Sequence, residues 1–145
     1  MQMIDEATAT KLANLLRGEL SAVEAYSQAI EKLREPRLVS ILQEAHNCHA
    51  MRANKLHTKL EELGQEVELS SGAWGAFTRL IESGAQLLGD AATIAVLEEG
   101  EDHGLSQYKS LFGDTDPTLK QMVREFLPLQ EGTHRIMHDL KVSLA

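Results

Sequence analysis

The sequence predicts an all-α protein: an antiparallel four-helix bundle with a long crossover between helices two and three. Three observations carry this expectation. Apolar residues recur at three- and four-residue spacing over four long stretches, the periodicity of an amphipathic helix. Only 3 of the 145 residues are Pro, and runs of β-branched residues are few. The breaks after the first and third stretches are short, and the one after the second is long. A single long connection in an otherwise tightly joined chain is one of the standard ways to wire four helices.

The first helix spans about Glu6 to Glu35, with Leu12, Leu15, Leu16, Val23, Tyr26, Ile30 and Leu33 as its stripe. Glu19 falls inside that stripe. Glu35-Pro36-Arg37 ends it, because the residue before Pro avoids the helical region. The second helix spans about Pro36 to Leu63, with Leu38, Ile41, Leu42, Ala45, His49, Ala53, Leu56, Leu60 and Leu63 inward. His46 lies one turn before His49. Gly64 is a C′ stop, and the short link makes helices one and two a hairpin.

The stretch from about Gly64 to Asp90 has a different texture. It is Ser- and Gly-rich at first, carries the single Trp74, and then holds a short apolar helix at about 73–88. It is long enough to return along a bundle of roughly 40 Å. The third helix spans about Ala91 to Leu111, with Ile94, Leu97, Glu98, Glu101, Leu105, Tyr108 and Phe112 on one side. Asp116-Pro117 is a cap-and-start signal for a fourth helix to about Leu140. Its inward residues are Leu119, Met122, Val123, Phe126, Leu127, Gln130, His134 and Met137. Pro128 inside it should kink the helix, one turn before Glu131-Gly132-Thr133-His134.

The composition is that of an ordinary single domain over residues 1–145: 43% hydrophobic and 25% charged, with a net charge of -8. Scattered Lys and Arg give no basic patch for nucleic acid or an anionic membrane. No apolar run approaches the ~20 residues that span a bilayer. Cys48 is the only cysteine, so no internal disulfide forms and a reducing, cytoplasmic setting is expected.

Chemistry concentrates in a repeat. Gly18-Glu19 is followed by Tyr26, and Gly100-Glu101 by Tyr108, each Tyr seven residues after its Glu. Seven residues are about two turns, so each Glu shares an apolar face with its Tyr. A carboxylate there is costly unless compensated. A His-bearing helix follows each repeat: His49 comes 30 residues after Glu19, and His134 comes 33 after Glu101. Two matching halves suggest a pseudo-two-fold bundle around a metal centre. Such centres take one Glu from each of two helices and a Glu-x-x-His from each of the other two. The candidate ligands are Glu19, His46, His49, Glu98, Glu101, Glu131 and His134. Oxygen and imidazole donors suit iron, manganese or zinc.

With those residues in place, the chain resembles the ferritin-like superfamily, and most closely its small DUF2383-type proteins. The resemblance rests on the Gly-Glu…Tyr repeats, the His46…His49 helix ending in Leu63-Gly64, Trp74-Gly75, and Gly100-Glu101-Asp102-His103. It covers most of the chain. It implies a four-helix bundle, a buried metal site and a homo-oligomer, with a homodimer as the simplest assembly. One departure is visible: helix two reads His46-x-x-His49 where the family pattern has Glu-x-x-His, and Glu98 is the residue that could replace the lost carboxylate. Two functions follow. One is a metal-binding protein holding di-iron or mononuclear iron and oxidising Fe(II) with O2 or peroxide. The other is a non-catalytic bundle whose buried Glu and His pair with each other and set register or partner specificity.

Overall fold

The computed structural model of the protein describes residues 5–67, 77 and 89–145. Four helices account for nearly all of it: α1 Glu6–Lys32, α2 Pro36–Glu62, α3 Asp90–Leu111 and α4 Pro117–Leu144. The all-α bundle expected from periodicity is therefore the fold. The short helix expected at 73–88 and Trp74 fall outside the described residues, apart from Phe77, which is helical.

Each helix begins and ends for a local reason. Asp5 accepts from the Thr8 N–H at 2.7 Å and Asp116 from the Leu119 N–H at 3.0 Å, each satisfying a first-turn donor that has no helical partner. Pro36 and Pro117 occupy first-turn positions, where a missing N–H costs nothing. Gly64 takes φ 75°, and the Gln65 N–H returns to Leu60 O at 3.0 Å, a Schellman-type stop. α4 continues through Pro128, so this proline does not end the helix.

α1 packs on α2 as one hairpin and α3 on α4 as a second. Hydrogen bonds between the hairpins fix their directions. Glu19 meets Tyr108 while Tyr26 meets Glu101, so α1 and α3 are antiparallel. Arg52 reaches Gln130 and Thr133, while Lys55 reaches Glu125, so α2 and α4 are antiparallel as well. It follows that α2 and α3 run the same way. The end of α2 and the start of α3 therefore lie at opposite ends of the bundle, separated by about the length of α2, whose 27 residues make about 40 Å at 1.5 Å each.

Both ends of the bundle are tied. The Asp90 carboxylate accepts the Arg34 and Glu35 N–H groups at 2.9 and 3.1 Å, clamping the α1–α2 turn to the start of α3. Lys11 holds Asp114 at 2.7 Å, joining the start of α1 to the α3–α4 turn. Between these ties, Leu12, Leu15, Leu42, Leu56, Leu119 and Phe126 are fully buried, and apolar burial of this kind drives the folding.

Gly100 lies in α3 directly beneath Phe77, where an added Cβ would sit 2.5 Å from the ring. Gly132 in α4 has nothing within 4 Å of the same position. Overpacking costs about 1–3 kcal/mol, whereas Gly to Ala in an open helical site gains up to about 1 kcal/mol. Urea unfolding should therefore show Gly100→Ala destabilised and Gly132→Ala stabilised; the same sign for both would contradict the contact.

Candidate functional site: a buried ionic centre and a flanking metal-ligand group

The two repeats meet at the middle of the bundle and exchange partners. The Tyr26 hydroxyl donates to Glu101 Oε2 at 2.6 Å, and the Tyr108 hydroxyl donates to Glu19 Oε1 at 2.8 Å. Each Tyr thus serves the carboxylate of the other hairpin. His49 lies between them, with Nδ1 2.7 Å from Glu19 Oε2 and Nε2 2.7 Å from Glu101 Oε2. Both ring nitrogens face carboxylates, so both donate and the ring is an imidazolium.

Arg52 completes the centre. It is fully buried. Nη1 lies 3.2 Å from Glu19 Oε1 and donates to Gln130 Oε1 at 2.6 Å. Nη2 is 3.3 Å from Thr133 Oγ1. Nη2 also lies 3.0 and 3.4 Å from the two His49 ring nitrogens. From α4, Gln130 Nε2 donates to Glu101 Oε1 at 2.9 Å, and the Thr133 hydroxyl approaches the same oxygen at 2.7 Å. All four carboxylate oxygens of Glu19 and Glu101 therefore have partners. Two carboxylates face an imidazolium and a guanidinium, and the formal charge sums to zero.

The electrostatics agree with this reading. Burial and the nearby Arg52 push His49 toward neutrality, but Glu101 and Glu19 outweigh them and its pKa lies above the ordinary histidine value. Burial would raise Glu101, yet the charge and hydrogen bond of His49, then Tyr26 and Arg52, hold it below the usual carboxylate range. Burial and an adjacent carboxylate push both tyrosines well up, so they remain neutral donors.

Of the residues expected from sequence, Glu19, His49 and Glu101 converge here and are 0% exposed. His46 does not join them: it is half-exposed, with Nδ1 3.1 Å from Asn47. Glu131 points to solvent. Glu98 and His134 lie together on the α3–α4 flank. The inward pair of α4 is Gln130 and Thr133, one residue before Glu131 and His134, and one residue rotates a helix by about 100°. Arg52 and Thr133 are functional positions that the sequence did not single out, and Gln130, expected inward, had no role assigned to it. Gln130 belongs to the seam Leu119, Val123, Phe126, Gln130, Thr133, Met137, and Arg52 to the seam Leu42, Ala45, His49, Arg52, Leu56. Those alternating three- and four-residue steps were the available signal.

The centre can be compared with the ligand set of a dinuclear bundle, a Glu on two helices and Glu-x-x-His on the other two. Glu19 and Glu101 fit. The facing pairs are His49-x-x-Arg52 on α2 and Gln130-x-x-Thr133 on α4, which offer one ligand in four and add a fixed cation. These residues do not fit a metal pair.

A different group does have metal-ligand geometry. Glu98, Asp102 and His134 each present a donor atom, and the three atoms lie within 4.8 Å of one another. This carboxylate and histidine group could hold a metal ion.

The family described as domain of unknown function (DUF2383) matches residues 7–114, well over half of the 145 residues. The chain belongs to the DUF2383 family. The DUF2383 match takes in α1, α2 and α3, and with them Glu19, His49, Arg52, Glu98 and Glu101, but stops before Gln130, Thr133 and His134. No curated protein and no solved structure matches the chain. Among the described residues, no helix is long and apolar enough to cross a membrane.

The centre should give stability a distinctive pH profile. A raised His49 pKa contributes fully below about pH 6.5, the unfolded histidine value, and its contribution is lost as pH rises through the folded pKa. A lowered Glu101 pKa contributes above about pH 4.3 and is lost as pH falls. Urea midpoints should peak between those values and decline on the alkaline side; in His49→Gln, that alkaline decline should flatten.

Proposed function

We propose that this DUF2383 protein is a non-catalytic helical module of ferritin-like topology, in which internal ion pairs occupy the place where such bundles carry a metal pair. One observation carries the reading: the Arg52 guanidinium lies fully buried against Glu19, Gln130 and Thr133. Oxidation of Fe(II) needs a ligated metal with open positions for oxygen. Here a side-chain cation already neutralises the carboxylates, and the two positions that would supply histidine hold Arg52 and Thr133.

A buried ionic network is weak support for stability, since well-packed apolar residues can do as well. Its value is specificity. Tyr26, His49, Arg52, Tyr108, Gln130 and Thr133 come from all four helices, and a slip of any helix by one turn strands buried charge. A rigid bundle with a defined surface suits a partner-binding or scaffold role, with a homodimer as its simplest self-assembly. The iron-binding reading keeps one supporting observation, the Glu98, Asp102 and His134 group, which lies outside this centre.

The test uses protein purified without chelator. Elemental analysis and an Fe(II)/O2 assay should show no metal held by, and no oxidation dependent on, the centre, and in His134→Ala, which removes the flanking group, EDTA should leave the unfolding midpoint unchanged. Iron that stays in His134→Ala but leaves in Glu101→Gln would sink the proposal. Arg52→Met, which removes one partner of a buried pair, should cost about 3–5 kcal/mol, measured by urea unfolding in metal-free buffer.

A further inference from the structure

α3 and α4 each place two ligand-type side chains one turn apart on a shared outer face. Glu98 and Asp102 are four residues apart on α3, and His134 and His138 are four apart on α4, so each pair lies on one side of its helix. His134 Nε2 is 2.5 Å from Asp102 Oδ1 and 3.7 Å from Glu98 Oε1. His138 Nδ1 is 3.5 Å from that same Glu98 oxygen. The two imidazoles stack with centroids 6.2 Å apart. Glu98 is only 7% exposed, which makes it a fixed inner ligand, while Asp102 and His138 open to solvent. An open cavity of about 240 Å³ lined by Leu105, Glu131, His134, Arg135 and His138 adjoins the group.

We infer that Glu98, Asp102 and His134, with His138 as fourth donor, form a surface site for one divalent transition-metal ion of the Zn2+, Co2+ or Ni2+ class. Metal–ligand bonds of about 2.0–2.2 Å in a tetrahedron put neighbouring donors roughly 3.4 Å apart. The Glu98 contacts to His134 and His138 already have that spacing, and the Asp102 contact must open by about 1 Å. Two carboxylates neutralise a divalent ion. Two imidazoles favour borderline metals over Mg2+ or Ca2+, which prefer oxygen alone. Lys141, 3.4 Å from Glu98 Oε2, competes for that carboxylate. The site is independent of the buried centre, since none of its four donors touches Glu19, His49 or Glu101 in the bonds described above.

The experiment is calorimetric titration of the full chain with ZnCl2, alongside the visible absorption of the Co2+ form. The expected result is one ion per chain, with four-coordinate Co2+ absorption. Binding should be lost in His134→Ala and in Glu98→Gln, weakened in His138→Ala, tightened in Lys141→Ala and unchanged in His46→Ala, each checked for wild-type circular dichroism. Absence of binding, binding that survives His134→Ala, loss in His46→Ala, or equal affinity for Mg2+ or Ca2+ would each overturn the inference.

Discussion

The bridge from Glu19 through His49 to Glu101 is the interaction on which the rest of the centre depends. Two carboxylates from different hairpins cannot both stay ionised when buried close together unless positive charge lies between them. His49 supplies it through both ring nitrogens at 2.7 Å. Arg52 then balances the second carboxylate, and the tyrosines and the α4 amide and hydroxyl take the remaining lone pairs. Take away the imidazolium and each of those partners faces an uncompensated buried anion.

The bundle is symmetric in its frame and asymmetric in its chemistry. Glu19 and Tyr26 on α1 mirror Glu101 and Tyr108 on α3, and the crossed hydrogen bonds repeat across the pseudo-two-fold. The other two helices break the symmetry. His49 and Arg52 follow Glu19 by 30 and 33 residues, while Gln130 and Thr133 follow Glu101 by 29 and 32. So α2 carries both positive charges and α4 carries neutral donors. That division lets the centre reach zero formal charge with no ion from outside. It also leaves a cost: Arg52 Nε is buried without a hydrogen-bond partner among the described residues, and such a group loses its hydration without compensation. The geometry thus favours specific pairing over maximal stability.

α3 serves two sites with neighbouring residues. Glu101 faces the centre while Glu98 and Asp102 face the α3–α4 flank, because successive residues of a helix diverge by about 100°. Charge is treated differently at the two places. In the centre every carboxylate oxygen is engaged and buried. On the flank Asp102 and His138 are more than half exposed, so water and ions can compete for the same ligands.

The sequence by itself determined the four helices, their starts and the hairpin pairing, since periodicity, Asp and Pro starts and the Gly64 stop are local features that tertiary packing did not override; α1 stops at Lys32, short of the expected Glu35, and α4 runs to Leu144, past the expected Leu140. It also determined Glu19, Glu101 and His49, because a charged or polar residue inside an otherwise apolar stripe must find a buried partner. Only the tertiary structure decided what that partner is. A metal ion and an arginine both neutralise carboxylates, and the periodicity that admits Arg52 to the seam admits Ala53 beside it as well. On α4, Glu131 and His134 matched a ligand motif, yet the packed seam turned Gln130 and Thr133 inward. A rotation of one residue is within the tolerance of sequence periodicity, and it separates a metal pair from a set of ion pairs.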